Sequence, residues 1–118
     1  YLAQAYDYTA NSTLNTDFLK RYRAKKPGIV DAIPTQFAAQ AFTGVQVIIE
    51  SIEAINKMQN FAEMSLVDKR AALNKDLLNT KRNFDNTLLG KFGFDGNGDT
   101  TQTLFKVVQI IDNKFVKQ

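Results

Sequence analysis

The chain has no cysteine, no histidine and no tryptophan. Those absences exclude disulfides, Cys/His zinc sites, thiol nucleophiles, imidazole bases and haem held through His or Cys, and with them most hydrolytic and redox chemistry. They assign no compartment, because many secreted domains also do without disulfides. No run reaches the roughly 18 consecutive apolar residues of a membrane span, and no signal-peptide succession of basic, apolar and small residues opens the chain. Tyr1 stands first in place of an initiator Met, so the chain reads as a processed product or a piece of a longer protein. What is present is 118 residues with 15 Lys and Arg against 12 Asp and Glu, a net charge of +3. That is one domain at most, able to bury roughly 65% of the surface its unfolded form exposes and too small to build a two-lobed cleft alone.

Residues 1–13 mix apolar and polar side chains and end in Asn11, Ser12 and Thr13, the pattern of an extended segment leaving a strand and entering a loop. Asn15 or Thr16 is the expected cap of a helix of roughly three turns. Asp17 falls in its first turn, Phe18, Leu19 and Tyr22 point inward, and Lys25-Lys26-Pro27-Gly28 is its stop. Ile29, Val30 and Ile33 suit a short buried connection. From Thr35 to about Gln59, Phe37, Ala41, Val45, Ile48, Ile49, Ile52 and Ile55 recur at helical spacing, while Glu50, Glu53 and Lys57 turn outward. The first half of this segment has almost no charge, so it needs cover on nearly every side, more than so short a chain supplies. Ser65 opens another helix with Asp68 at the capping-box position and Leu66, Leu73, Leu77 and Leu78 as its apolar contacts, ending near Lys81.

Beyond that helix the period changes. Thr87 to Phe94 alternates loosely, and Asp95-Gly96-Asn97-Gly98-Asp99 is strong turn chemistry. Leu104 to Ile111 is rich in β-formers, and Asp112-Asn113 turns the chain into Lys114-Phe115-Val116. Three helices followed by two or three strands suggest by themselves an α+β domain, yet so few strands make a poor sheet unless others join them.

Several patterns invite a chemical reading. Asp95, Asn97 and Asp99 fall on the first ligand positions of a calcium loop, but Thr100 stands where that loop needs Gly and Lys106 where it needs a bidentate Glu. A plain hairpin turn is the better reading. Lys20, Arg21, Arg23, Lys25 and Lys26 surround Tyr22 and could touch phosphates, yet cations in a last helical turn also complement the helix dipole in solvent. With +3 overall there is no extended basic face. No carboxylate pair stands out as acid and base, and Ser12, Ser51 and Ser65 have no visible activating group. Phe37 and Phe42 read as core by default; alternatively Phe37 presents its ring to a ligand with Gln36 and Gln40 as nearby polar groups.

The stretch PTQFAAQAFTGVQVIIESIEAI, residues 34–55, resembles the long helix of the type I periplasmic binding proteins of the branched-chain amino-acid (Leu/Ile/Val-binding) family. Phe84 to Asp99, with its Gly-x-Phe-x-Phe-Asp-x-x-Gly-Asp run, looks like a second block of that family, followed as expected by FKVVQII and KFV. AQAYDY and FLKRYRAKKPG resemble the return crossover and the helix after it. Three blocks in order cover nearly the whole chain. The resemblance implies an α/β fold: the C-terminal part of a two-lobed receptor, with residues 1–13 as hinge crossover, 14–82 as helices and 87–118 as strands. It implies a periplasmic or extracellular solute receptor of an ABC importer, free or lipid-anchored, binding an amino acid or similar small molecule, with the importer's membrane components as partners. Catalysis, cofactor, metal and nucleic acid have no place in it. Phe37 matches a family position whose aromatic side chain lines the ligand cleft, Gln40 is a weaker carry-over and Tyr6 lies near the hinge. Phe42-Thr43 replaces the family's Tyr-Asp, so any role of that hydroxyl or aspartate is lost. A piece cut from such a lobe is expected to dimerise. The rival from another class is a small stand-alone interaction domain whose basic helix binds nucleic acid or an acidic partner.

Overall fold

The computed structural model describes residues 2–103, 105–112 and 114–117. Leu104 and Asn113, assigned from sequence to a strand start and a turn, lie outside the described residues. Helix α1 spans Thr13–Ala24, and its cap is Ser12, whose hydroxyl accepts the Asn15 amide at 3.1 Å. The expected caps, Asn15 and Thr16, fall inside the helix. Asn15 is committed elsewhere: buried, it accepts from the Tyr6 hydroxyl at 2.6 Å and donates to the carbonyls of Tyr8 (3.0 Å) and Ala10 (2.8 Å). A side chain that pins the incoming loop cannot also cap the helix. Ile29, Val30 and Ile33 are exposed, the reverse of the expectation, and only Ala32 and Pro34 of that connection are buried. The chain there is irregular, with Asp31 in the left-handed region at φ 55°, and small residues face inward.

Thr35 caps α2, Gln36–Ile55, by accepting the Ala38 amide at 3.3 Å. The helix stops short of Gln59, and a single 3₁₀ turn, Phe61–Glu63, follows. Its buried residues are Ala39, Thr43, Val47, Ser51 and Ile55, one per turn. This narrow stripe lies on the side of α2 away from most of the isoleucines. Phe37, Val45, Ile48, Ile49 and Ile52 are all exposed, because no element of the described chain covers them. Gly44 sits mid-helix, and a Cβ there would meet nothing within 4 Å. Gly44→Ala is therefore expected to stabilise the chain by about 0.5–1 kcal/mol through backbone entropy, read as a higher urea midpoint with unchanged slope.

Helix α3, Leu66–Leu77, starts at Ser65, whose hydroxyl accepts the Asp68 amide at 3.1 Å and donates to its carboxylate at 2.6 Å. It ends at Leu77 rather than near Lys81, and Leu66 and Leu78 are exposed instead of packed. Leu77 closes on a cluster of Val47, Phe84 and Phe92. Thr87 to Phe94 forms no strand; two isolated antiparallel bridges, Phe84↔Phe92 and Phe94↔Thr100, hold it. Gly93 is obligatory between the two phenylalanines, since a Cβ would lie 2.4 Å from the Arg82 carbonyl oxygen.

The third strand comes from the opposite end of the chain. β1, Leu2–Gln4, pairs antiparallel with β2, Lys106–Ile111, and β2 with β3, Lys114–Lys117, in the order β1-β2-β3. Gln4 lies opposite Lys106 and Ile111 opposite Lys114, with Asp112 turning the hairpin at φ 48°. The mixed helix and strand content agrees with the sequence reading.

The result is open. The radius of gyration is 17.3 Å, where a compact chain of this length has about 13.5 Å. Accessible surface is 8483 Å², about 2,000 Å² more than a compact domain of this mass exposes. Two small cores share the work: Tyr6, Phe18, Ala39 and Leu89 under the start of α2, and Val47, Phe84 and Phe92 under its middle.

Candidate functional site

Three distant segments meet at the start of α2. The Ala5 amide donates to Gln36 Oε1 at 3.5 Å, and the Gln102 amide nitrogen donates to the carbonyls of Ala5 (3.0 Å) and Leu89 (3.1 Å). Beside them the Lys106 ammonium pairs with the Asp7 carboxylate, joining the residues that follow β1 to the start of β2. Tyr6, expected near a hinge, thus lies just beyond β1 and close to Lys106 at the start of β2. A pocket of about 50 Å³ lies between them, lined by Tyr6, Asp7 and Lys106 among others, with room for a water-sized group.

Tyr6 is a core residue here. It is buried, edge-on to Phe18 at 5.8 Å, and its hydroxyl donates to Asn15. That disposition leaves the hydroxyl engaged within the chain rather than facing a ligand. Burial, helped by the Asp7 charge, pushes the hydroxyl up from 10.0 to about 12, with Arg23 opposing. A folded value above the unfolded one gives a stabilisation fully present below pH 10 and lost as pH climbs towards 12. Tyr6→Phe is expected to cost about 1–2 kcal/mol at neutral pH, because it strands the Asn15 oxygen, and to abolish that alkaline loss. Urea titrations at neutral pH and above pH 10 read both effects. For Asp7, burial alone would raise the carboxyl, but the Lys106 ammonium and the Thr9 hydroxyl and amide outweigh it and hold it below the usual carboxylate range.

Phe37 stands on the first turn of α2 and is 70% exposed. It is not core in this chain, unlike Phe42, whose ring lies 4.9 Å from Phe18. Gln40 is exposed one turn further on and borders a larger cavity. Phe37 and Gln40 therefore share the accessible end of α2, whereas Tyr6 packs beneath it. Gln36, the other polar neighbour, has its carbonyl oxygen committed to Ala5.

The remaining chemical candidates are structural in their contacts. Asp95 Oδ1 accepts the amides of Asn97 (2.8 Å) and Asp99 (2.9 Å), closing its turn with Gly98 at φ 86°. In the basic cluster, Arg21 pairs with Asp17 at 2.8 Å, Arg23 Nε donates to the Ala32 carbonyl at 3.4 Å, and Lys26 lies 6.0 Å from the Tyr22 ring. Among the described residues no helix is long and apolar enough to cross a membrane.

The sequence reading named Thr43 and Ser51 without placing them in the core; both are buried, with hydroxyls that have no hydrogen-bond partner among the described residues. A signal was available in Ala39, Thr43, Val47 and Ser51, which recur every fourth position opposite most of the isoleucines. Compared with known proteins, the chain matches no family model and no curated sequence.

Proposed function

We propose that the chain is the C-terminal part of a two-lobed solute receptor of an ABC importer, working in the periplasm or outside the cell. The observation that carries this reading is the uncovered face of α2. Val45, Ile48, Ile49 and Ile52, each more than 40% exposed, run along a helix of 20 residues, about 30 Å long. A stripe of that width and length is what a helix presents to a sheet, and the described chain offers no sheet to it. The excess accessible surface points the same way. The three blocks of resemblance supply the identity of the missing partner: the parallel sheet of the first lobe.

In this reading the receptor performs no chemistry. An amino acid or similar small molecule contacts both lobes and so favours the closed state of a hinge whose crossovers include β1 and β2. Phe37 supplies part of one cleft wall, with Gln40 beside it. In the intact receptor, Phe37→Ala is expected to weaken ligand binding by about 1–3 kcal/mol, measured by titration calorimetry. Unchanged affinity would make Phe37 a packing residue and remove this wall from the site. The stand-alone alternative, a basic α1 that binds nucleic acid or an acidic partner, has less support, since two of its five cations are engaged by Asp17 and Ala32. A steep fall of nucleic-acid affinity with salt would favour it.

A further inference from the structure

A second cavity, independent of the receptor reading, lies between α2, α3 and the Phe84–Phe94 segment. It measures about 490 Å³, within the range of small-molecule sites. Val47, Leu77, Leu78, Phe92 and Phe94 make its apolar walls, the polar but uncharged Gln40, Asn74, Thr100 and Gln102 stand among them, and none of the described side chains lining it is charged. Thr43 stands on its wall, 1% exposed, with a hydroxyl that has no hydrogen-bond partner. A buried hydroxyl without a partner is costly and asks for one. Gly44, next to it, also lines the cavity, and the space beside it is open: a Cβ there meets nothing within 4 Å, so only a longer side chain would reach across.

We propose that this cavity is a binding site for a neutral, largely apolar small molecule with one hydroxyl or carbonyl group that pairs with Thr43. The uncharged lining excludes anions and cations, whose desolvation nothing there would offset. The buried Thr43 hydroxyl, without a partner among the described residues, sets the polar requirement of the ligand. Gly44 keeps the mouth open between Gln40 and Ile48, the neighbouring positions on the same helical stripe.

The test is a methyl-resolved NMR titration of the 118-residue chain with 1-naphthol, naphthalene and 1-naphthalenesulfonate. Shifts are expected at Val47, Leu77, Leu78 and Leu89, and not at Val45, Ile49 or Ile52. The naphthol should bind about fivefold tighter than naphthalene, the increment of one hydrogen bond, and the sulfonate should leave those methyls unmoved. Thr43→Val, which keeps the shape, should erase the difference between naphthol and naphthalene. Gly44→Leu should exclude both. Equal affinity of the two neutral probes for the unaltered chain would overturn the proposal. So would shifts confined to the outer isoleucines, binding of the sulfonate at the cavity methyls, or binding that survives Gly44→Leu.

Discussion

Phe84→Ala is expected to cost the chain about 3–5 kcal/mol. Phe84 is 1% exposed and its ring lies 5.9 Å from that of Phe92 and 6.2 Å from that of Phe94. On its other side the Arg82 guanidinium sits 4.7 Å from the ring centre, held there by an ion pair with Asp76. The backbone doubles the constraint, since Phe84 and Phe92 exchange amide-to-carbonyl bonds at 2.8 and 3.2 Å. Domains of this size have roughly 5–15 kcal/mol of stability in all, so a loss of this order removes a large share. Circular dichroism in urea, or tyrosine fluorescence, which no tryptophan obscures, is expected to show the midpoint falling by more than about 1 M. A change below about 1 kcal/mol would mean that the Phe84 cluster is not a core.

The second large effect is on association. The uncovered face of α2, together with exposed Val107, Ile110 and Ile111 on β2, is more apolar surface than a lone domain usually leaves in water. In the absence of the sheet that the receptor reading places there, the chain is expected to sediment as a dimer, with α2 covering α2. Val45→Glu combined with Ile49→Lys replaces two residues that are 58% and 50% exposed with a favourable i,i+4 pair, so the helix itself is preserved. Dimer affinity should fall by about 100-fold or more, as for loss of a central interface contact. Sedimentation velocity decides it: a wild-type chain that remains monomeric and folded would refute the prediction.

The sequence by itself determined what depends on near neighbours. Thr35 and Ser65 are caps because their hydroxyls sit three residues from the amides they accept. The Asp95 turn closes on its own Asn97 and Asp99 amides. The start of α2 and its apolar period were equally legible, since both are set by local spacing, whereas its end at Ile55 was not. The tertiary structure alone decided which groups meet across the chain. Asn15 reads as a cap until Tyr6 and the Tyr8 and Ala10 carbonyls claim its side chain. The third strand comes from Leu2–Gln4 instead of Thr87–Phe94 because Gln4 finds Lys106 from the far end of the sequence. Tyr6 is core while Phe37 is exposed, although both are aromatic, because α2 lays Ala39 and not Phe37 onto the Tyr6 cluster. Periodicity fixes that a helix has an apolar face; which of two such faces is buried depends on what lies against it, and that is set by contacts between residues far apart in sequence.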